Sequence, residues 1–173
     1  MDAAERARVY GAFADATRRW VSVMDTKAGF LFAVNGALLT FMWIGARLGD
    51  VAPAARWLAI AASICSLLAL LAALWIIVPR PSVGRRAAAE RAYRPVSFYG
   101  YVADRYAASD FEGFERDLAT FDEADFAREA LEEHFTVSRI VRAKAAWVAV
   151  SGGLTLTSMA LTGSALLVKT LAE

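Results

Sequence analysis

The chain of 173 residues is 58% hydrophobic and 21% charged, with 19 basic against 18 acidic side chains. So even a balance argues against nucleic acid or another polyanion as the main partner, and a single cysteine, Cys65, excludes an intramolecular disulfide. Nearly all the charge lies outside three uncharged runs, which argues against a soluble bundle, because the core helices of soluble proteins keep a polar stripe.

Residues 1–27 place Tyr10, Phe13, Thr17, Trp20 and Met24 at helical spacings of three and four, with Arg6, Arg8, Asp15, Arg18 and Arg19 elsewhere around the turn. The pattern predicts a cytoplasmic amphipathic helix. Its apolar face suits packing on the middle of the chain better than lying on a membrane surface, because its basic residues form no single lipid-facing band. No breaker separates it from the first uncharged run, residues 28–46. At about 1.5 Å per residue that run is roughly 28 Å long, enough to cross a bilayer's hydrocarbon core. It also exceeds the apolar core of a cleaved signal peptide.

Within this first span Gly29, Ala33 and Ala37 form a small-residue row, with Gly36 and Thr40 close by, of the kind that lets helices approach in lipid. Asn35 lies near mid-bilayer, where an unpaired amide is costly, so it belongs either to an interhelical hydrogen bond or to a polar gate. At the threshold, Asp25 and Lys27 either mark the interface or, for Asp25, point along the face that carries Gly36. A short Pro- and Gly-containing turn, residues 47–56, leads into a second span at 57–78, which makes the first two spans an antiparallel hairpin.

Residues 79–144 hold 11 basic and 12 acidic side chains and form the one sizeable polar segment. Pro79 and Pro81 end the second span, and residues 85–94 read as a short basic helix stopped by Pro95. An aromatic patch around Gly100 follows, then helix starts predicted at Ser109, with Glu112 completing a capping box, and at Thr120 with Glu123. Phe111, Phe114, Leu118 and Phe121 share a face of the first of these. From there no proline interrupts the chain before the third span at 145–168, so one long helix runs from polar segment into bilayer without a flexible joint. Inside the span Ser151, Thr155, Ser158 and Thr162 recur at spacings of four, three and four. Two readings fit them: hydroxyls bonded back to their own helix, or a polar stripe facing other copies or water.

Basic residues near the span ends are far more numerous on the side of residues 1–27 and 79–144, which predicts a cytoplasmic N-terminus and an outside C-terminus. The fold class is therefore all-α, a multi-pass membrane protein with three transmembrane helices and a cytoplasmic helical segment. No residues carry catalysis. The one histidine, His134, has no ligand partners at metal spacing and reads as a surface or packing residue, and no phosphate loop, nucleophile elbow or metalloprotease motif is present.

The order of Asp25-x-Lys27-Ala28, Asn35-Gly36, an apolar hairpin, Phe98-Tyr99-Gly100 and a late helix over 133–144 resembles the transmembrane effectors of Pycsar antiphage defence, PycTM. The likeness covers about residues 20–149, with Ala145 after Lys144 where the family pattern commonly has an aromatic. What the resemblance implies is a bacterial inner-membrane effector, functionally linked to a pyrimidine cyclase. Cyclic CMP or cyclic UMP would activate it to impair the membrane and cause abortive infection. A cyclic monophosphate offers one charge and one base, so Arg94, Tyr99, Arg105 and Arg139 are the candidates to read it. The small and polar rows suit a homo-oligomer. The competing readings are a structural or regulatory subunit that binds a protein partner without disturbing the bilayer, and a constitutive small channel.

Overall fold

The computed structural model describes residues 1–78, 102 and 105–172. The basic stretch at 85–94, the aromatic patch Phe98-Tyr99-Gly100 and the candidates Arg94 and Tyr99 lie outside those residues. Among the described residues there are helices and turns and no strand: α1 (Ala3–Thr40), a π-helical turn (Phe41–Gly45), α2 (Pro53–Ile77), α3 (Phe111–Leu118) and α4 (Glu123–Ala172). The fold is all-α, and α1 with its π turn, α2 and α4 are each long and apolar enough to cross a membrane. The chain divides into two compact units, residues 1–19 with 79–139, and residues 20–78 with 140–173.

In the first unit α3 starts one residue later than the sequence suggests. Asp110, not Ser109, caps it, its carboxylate accepting from the Gly113 amide at 3.2 Å. A Cβ at Gly113 would stand 2.5 Å from that carboxylate, so glycine makes room for the cap. The helix ends at Leu118, which leaves Phe121 beyond it, its ring 5.5 Å from Phe126. The next start is likewise displaced from Thr120, whose hydroxyl donates to the Asp117 carbonyl. Asp122 caps α4 instead: its carboxylate accepts from Asp125 N at 2.8 Å, and the Asp125 carboxylate accepts from Asp122 N at 3.3 Å. This is a capping box built from two aspartates, with the Thr120 hydroxyl already engaged by the preceding helix end.

Residues 1–19 of α1 lie against α4 within the first unit. Ala14 and Thr17 are buried, whereas Phe13 is 48% exposed, so the inward stripe is narrower than the predicted aromatic face. Polar partners explain the rotation. The Thr17 hydroxyl donates to the Phe13 carbonyl at 2.8 Å, so it accepts from Nδ1–H of His134 at 2.7 Å, which fixes the imidazole tautomer. Beside it Arg18 Nε and Nη2 both donate to the Glu133 carboxylate at 2.6 Å.

In the second unit the three spans keep a regular register. Partners on α1 and α4 differ by 119 to 123 residues from one end to the other, so these helices run parallel. On α2 the partner falls from Ala69 to Ala62 as α4 rises from Ser151 to Ser158, so α2 is antiparallel to both. Alanines at 55, 59, 62, 69 and 73 are fully buried on α2 and let the backbones approach, while Met42, Leu48 and Ala165 close one end of the core.

The turn after α1 is tight. Ala46 N donates to Phe41 O and Leu48 N to Met42 O, and between them Arg47 sits in the left-handed region at φ 50°. Trp43 reaches across the hairpin to Ser63 at 2.9 Å. Four of the five tryptophans are exposed at two levels of the spans: the register puts Trp43 level with Trp57, and the Trp75 and Trp147 rings meet edge-on at 6.4 Å. Such rings mark the two membrane–water interfaces. The two levels are about five turns apart on α2, roughly 27 Å.

Candidate functional site

A polar seam runs along one face of the membrane part of α4, residues 144–169. Ser151, Thr155, Ser158 and Thr162 are all buried, and they divide the neighbouring helices between them. The serines meet α2: Ser151 donates to the Ala69 carbonyl at 2.9 Å, and Ser158 donates to the Ala62 carbonyl while accepting from Ser66, both at 2.8 Å. The threonines meet α1. Thr155 donates to its own helix at Ser151 O and accepts from Asn35 Nδ2 at 2.7 Å; Thr162 donates to Ser158 O with Met42 Sδ at 3.1 Å. The stripe thus faces the other two spans of its own chain rather than lipid, whereas the exposed Thr157 and Ser164 bond back to their own helix at Gly153 O and Ala160 O, both at 3.0 Å.

Asn35 lies midway along the seam and has no exposed surface. Its amide gives both hydrogens away, to Thr155 and to the Leu31 carbonyl at 2.8 Å. Its Oδ1 is buried and has no hydrogen-bond partner among the described residues. At one end of the seam Lys144 Nζ donates to Asp25 Oδ1, with the lysine side chain 18% and the aspartate 39% exposed. At the other, Lys169 Nζ donates to the Ala46 carbonyl at 3.1 Å.

Lys27 is exposed and outside the seam, and Gly36 is half-buried with no atom within 4 Å of where a Cβ would stand. The row Gly29, Ala33, Gly36 and Ala37 therefore flanks the packed face instead of forming it. The inward face of α1 is Met24, Ala28, Asn35 and Met42. The reason is the price of the amide: exposing Asn35 to lipid costs far more than exposing a glycine.

Of the nucleotide candidates within the described residues, Arg105 Nη2 donates to Asp117 at 3.2 Å, and the guanidinium lies over the Tyr106 ring. The Tyr106 hydroxyl donates to the same carboxylate at 2.6 Å, and burial followed by that bond pushes the phenol's pKa up. Arg139 is exposed and lies over the exposed Phe135 ring, one turn back on α4. The hydrogen bond to Glu133 is the largest influence raising the Arg18 pKa. Sequence reasoning missed this Arg18–Glu133 and Thr17–His134 clasp, whose partners are 115 and 117 residues apart and share no local pattern. It also missed Ser66 and the pairing of Lys144 with Asp25, although positions 144, 151, 155, 158, 162 and 169 repeat at a spacing that keeps one face.

The model of the Pycsar effector protein domain, PycTM, matches residues 10–169. The chain belongs to the Pycsar effector family. Comparison with curated proteins and with solved structures found no match. This Pycsar effector is a membrane protein of antiphage defence, and the matched region takes in both units described above except residues 1–9 and 170–173. Among its described residues no three metal-ligating side chains group to hold an ion.

Proposed function

We propose that this effector responds to a cyclic pyrimidine nucleotide, cyclic CMP or cyclic UMP, made by a partner cyclase, by impairing the bacterial inner membrane, so that infected cells die or stop growing before phage matures. In this reading residues 1–27 and 79–144 are cytoplasmic, the C-terminus is outside, and the effector acts by rearranging rather than by catalysis. The observation that carries it is the family match over residues 10–169, supported by a membrane unit that buries Asn35, Ser66, Ser151, Thr155, Ser158 and Thr162 between its spans. A nucleotide phosphate would compete with Asp117 for Arg105 or take the exposed Arg139, with Arg94 and Tyr99 completing the set. For a near-complete switch the ligand must favour the active arrangement by about 5.5 kcal/mol. Copies assemble through the outward row of Gly29, Ala33, Gly36 and Ala37 on α1, which lets two helices approach closely in lipid.

The test is membrane potential in bacterial cells that express the effector with a cyclase for one nucleotide or the other. Depolarisation with one cyclase and not with the other is the expected result. Unchanged potential with both, the protein being in the membrane, would reject the reading in favour of a scaffold subunit.

A further inference from the structure

We propose that the polar seam of the membrane unit is a concealed hydration path, along which the spans part in the active arrangement to admit water and small monovalent ions. This rests on the reading of the chain as a conditional membrane effector.

The seam is more polar than helix association requires. Outward, the spans show lipid Phe30, Phe32, Leu67, Leu71, Leu156 and Leu167, as a packed membrane bundle should. Inward, the alanines of α2 already supply the close approach that holds such helices together, and hydroxyl pairs add little on average. Yet Ser66, Ser151, Thr155, Ser158 and Thr162 are all turned inside. The second observation is Asn35. It is wholly buried, bonded through Nδ2 to Thr155 of this same stripe, and its Oδ1 has no hydrogen-bond partner among the described residues. A buried amide oxygen left without a donor is a standing penalty of the closed packing, and water supplies the missing donor once the seam is wet.

The ends and the packing fit the same device. Asp25 with Lys144, and Lys169 on the Ala46 carbonyl, place a charged group at each mouth. Along most of the seam the neighbours are alanines, so the helices part without withdrawing large interlocked side chains; Met42 and Leu48 are the exceptions, at the Lys169 end. Between the mouths the lining is hydroxyl and amide, with no carboxylate. Such a lining solvates water and monovalent ions and offers no site for a divalent cation.

Two measurements on the full chain decide it. In vesicles of bacterial phospholipid loaded with potassium, Ser158→Asp, which forces charge into the seam, should raise potassium efflux more than tenfold over the unsubstituted protein without any nucleotide. Leu156→Asp, on the lipid face, should not. The milder Ser158→Asn, which keeps hydrogen bonding, guards against a folding failure and should give an intermediate rise; efflux unchanged in both seam variants overturns the proposal. In cells, on a Cys65→Ser background, a membrane-impermeant charged thiol reagent should modify Ser158→Cys at least tenfold faster once a cyclase has depolarised the membrane, and Leu156→Cys at one slow rate throughout. Depolarisation with no acceleration at Ser158→Cys rejects the seam and leaves the nucleotide reading standing. Leak through Ser158→Asp vesicles without depolarisation by either cyclase supports the seam and rejects the nucleotide.

Discussion

Separating Asp25 from Lys144 tests whether the threshold pair fastens α1 to α4 or merely marks the interface. Exposed ion pairs are worth about 0.2–1 kcal/mol, whereas removing one partner of a buried pair costs about 3–5 kcal/mol. Lys144 is 18% exposed and Asp25 39%, so the pair falls between these limits, and a coupling of about 1–2 kcal/mol is expected. The assay is a double-mutant cycle of Asp25→Ala and Lys144→Ala, read by reversible unfolding of the purified protein in detergent. Each single variant should lose more than the coupling energy alone, since the remaining charge is left facing apolar surroundings, and the double variant should lose less than the two together. The exchange Asp25→Lys with Lys144→Asp should recover most of the stability, because the register between the helices is unchanged. Additivity within about 0.3–0.5 kcal/mol would refute the reasoning and reduce Asp25 to an interface marker.

Other outcomes follow from separate features. Arg47→Gly should raise the unfolding temperature, by about 1 kcal/mol of stability, since glycine adopts φ 50° without the Cβ penalty; a lower temperature would show that the side chain outweighs the backbone. Tyr106→Phe should loosen α3 by about 1–2 kcal/mol through loss of the bond to Asp117, seen as faster amide exchange over residues 111–118. Because folding raises the Tyr106 pKa, its contribution is present below the ordinary tyrosine range and is lost as pH climbs through the raised value, so the tyrosinate absorbance that Tyr106→Phe removes should be a part that titrates above that range. Gly36→Leu should change the unfolding of the single chain little, because a Cβ there meets nothing within 4 Å, yet abolish nucleotide-dependent toxicity by blocking contact between copies. Full toxicity would remove that row from the mechanism.

The three apolar helices and the uninterrupted α4 are legible in the chain because charge and proline are absent over lengths that leave few alternatives. Rotation about each helix axis is much less so. Gly29, Ala33 and Gly36 advertise a packing face, but one amide at position 35 outweighs them and turns the helix toward Thr155. Similarly, the bonds of Thr17 and Arg18 to His134 and Glu133, more than a hundred residues on, set the covered stripe of residues 1–19 and leave Phe13 at its edge, its ring 5.7 Å from that of His134. The caps fail more narrowly. Ser109 and Asp110 are adjacent and both competent, and the room at Gly113 suits the aspartate, whose carboxylate a Cβ there would crowd. As for the nucleotide candidates, periodicity finds elements, whereas a ligand site is assembled from side chains whose spacing along the chain carries no period.

The two levels of exposed tryptophan have a consequence for which membranes this protein tolerates. Their separation of roughly 27 Å is a few ångströms short of the average hydrocarbon thickness of about 30 Å. Each ångström of mismatch costs a fraction of a kcal/mol, met by thinning the lipid or by clustering of copies. In vesicles made with longer acyl chains the bundle is therefore stretched along the membrane normal by its own anchors, and lipid thickness becomes an adjustable load on the resting packing. A series of phosphatidylcholines of increasing chain length would vary that load with no change to the protein.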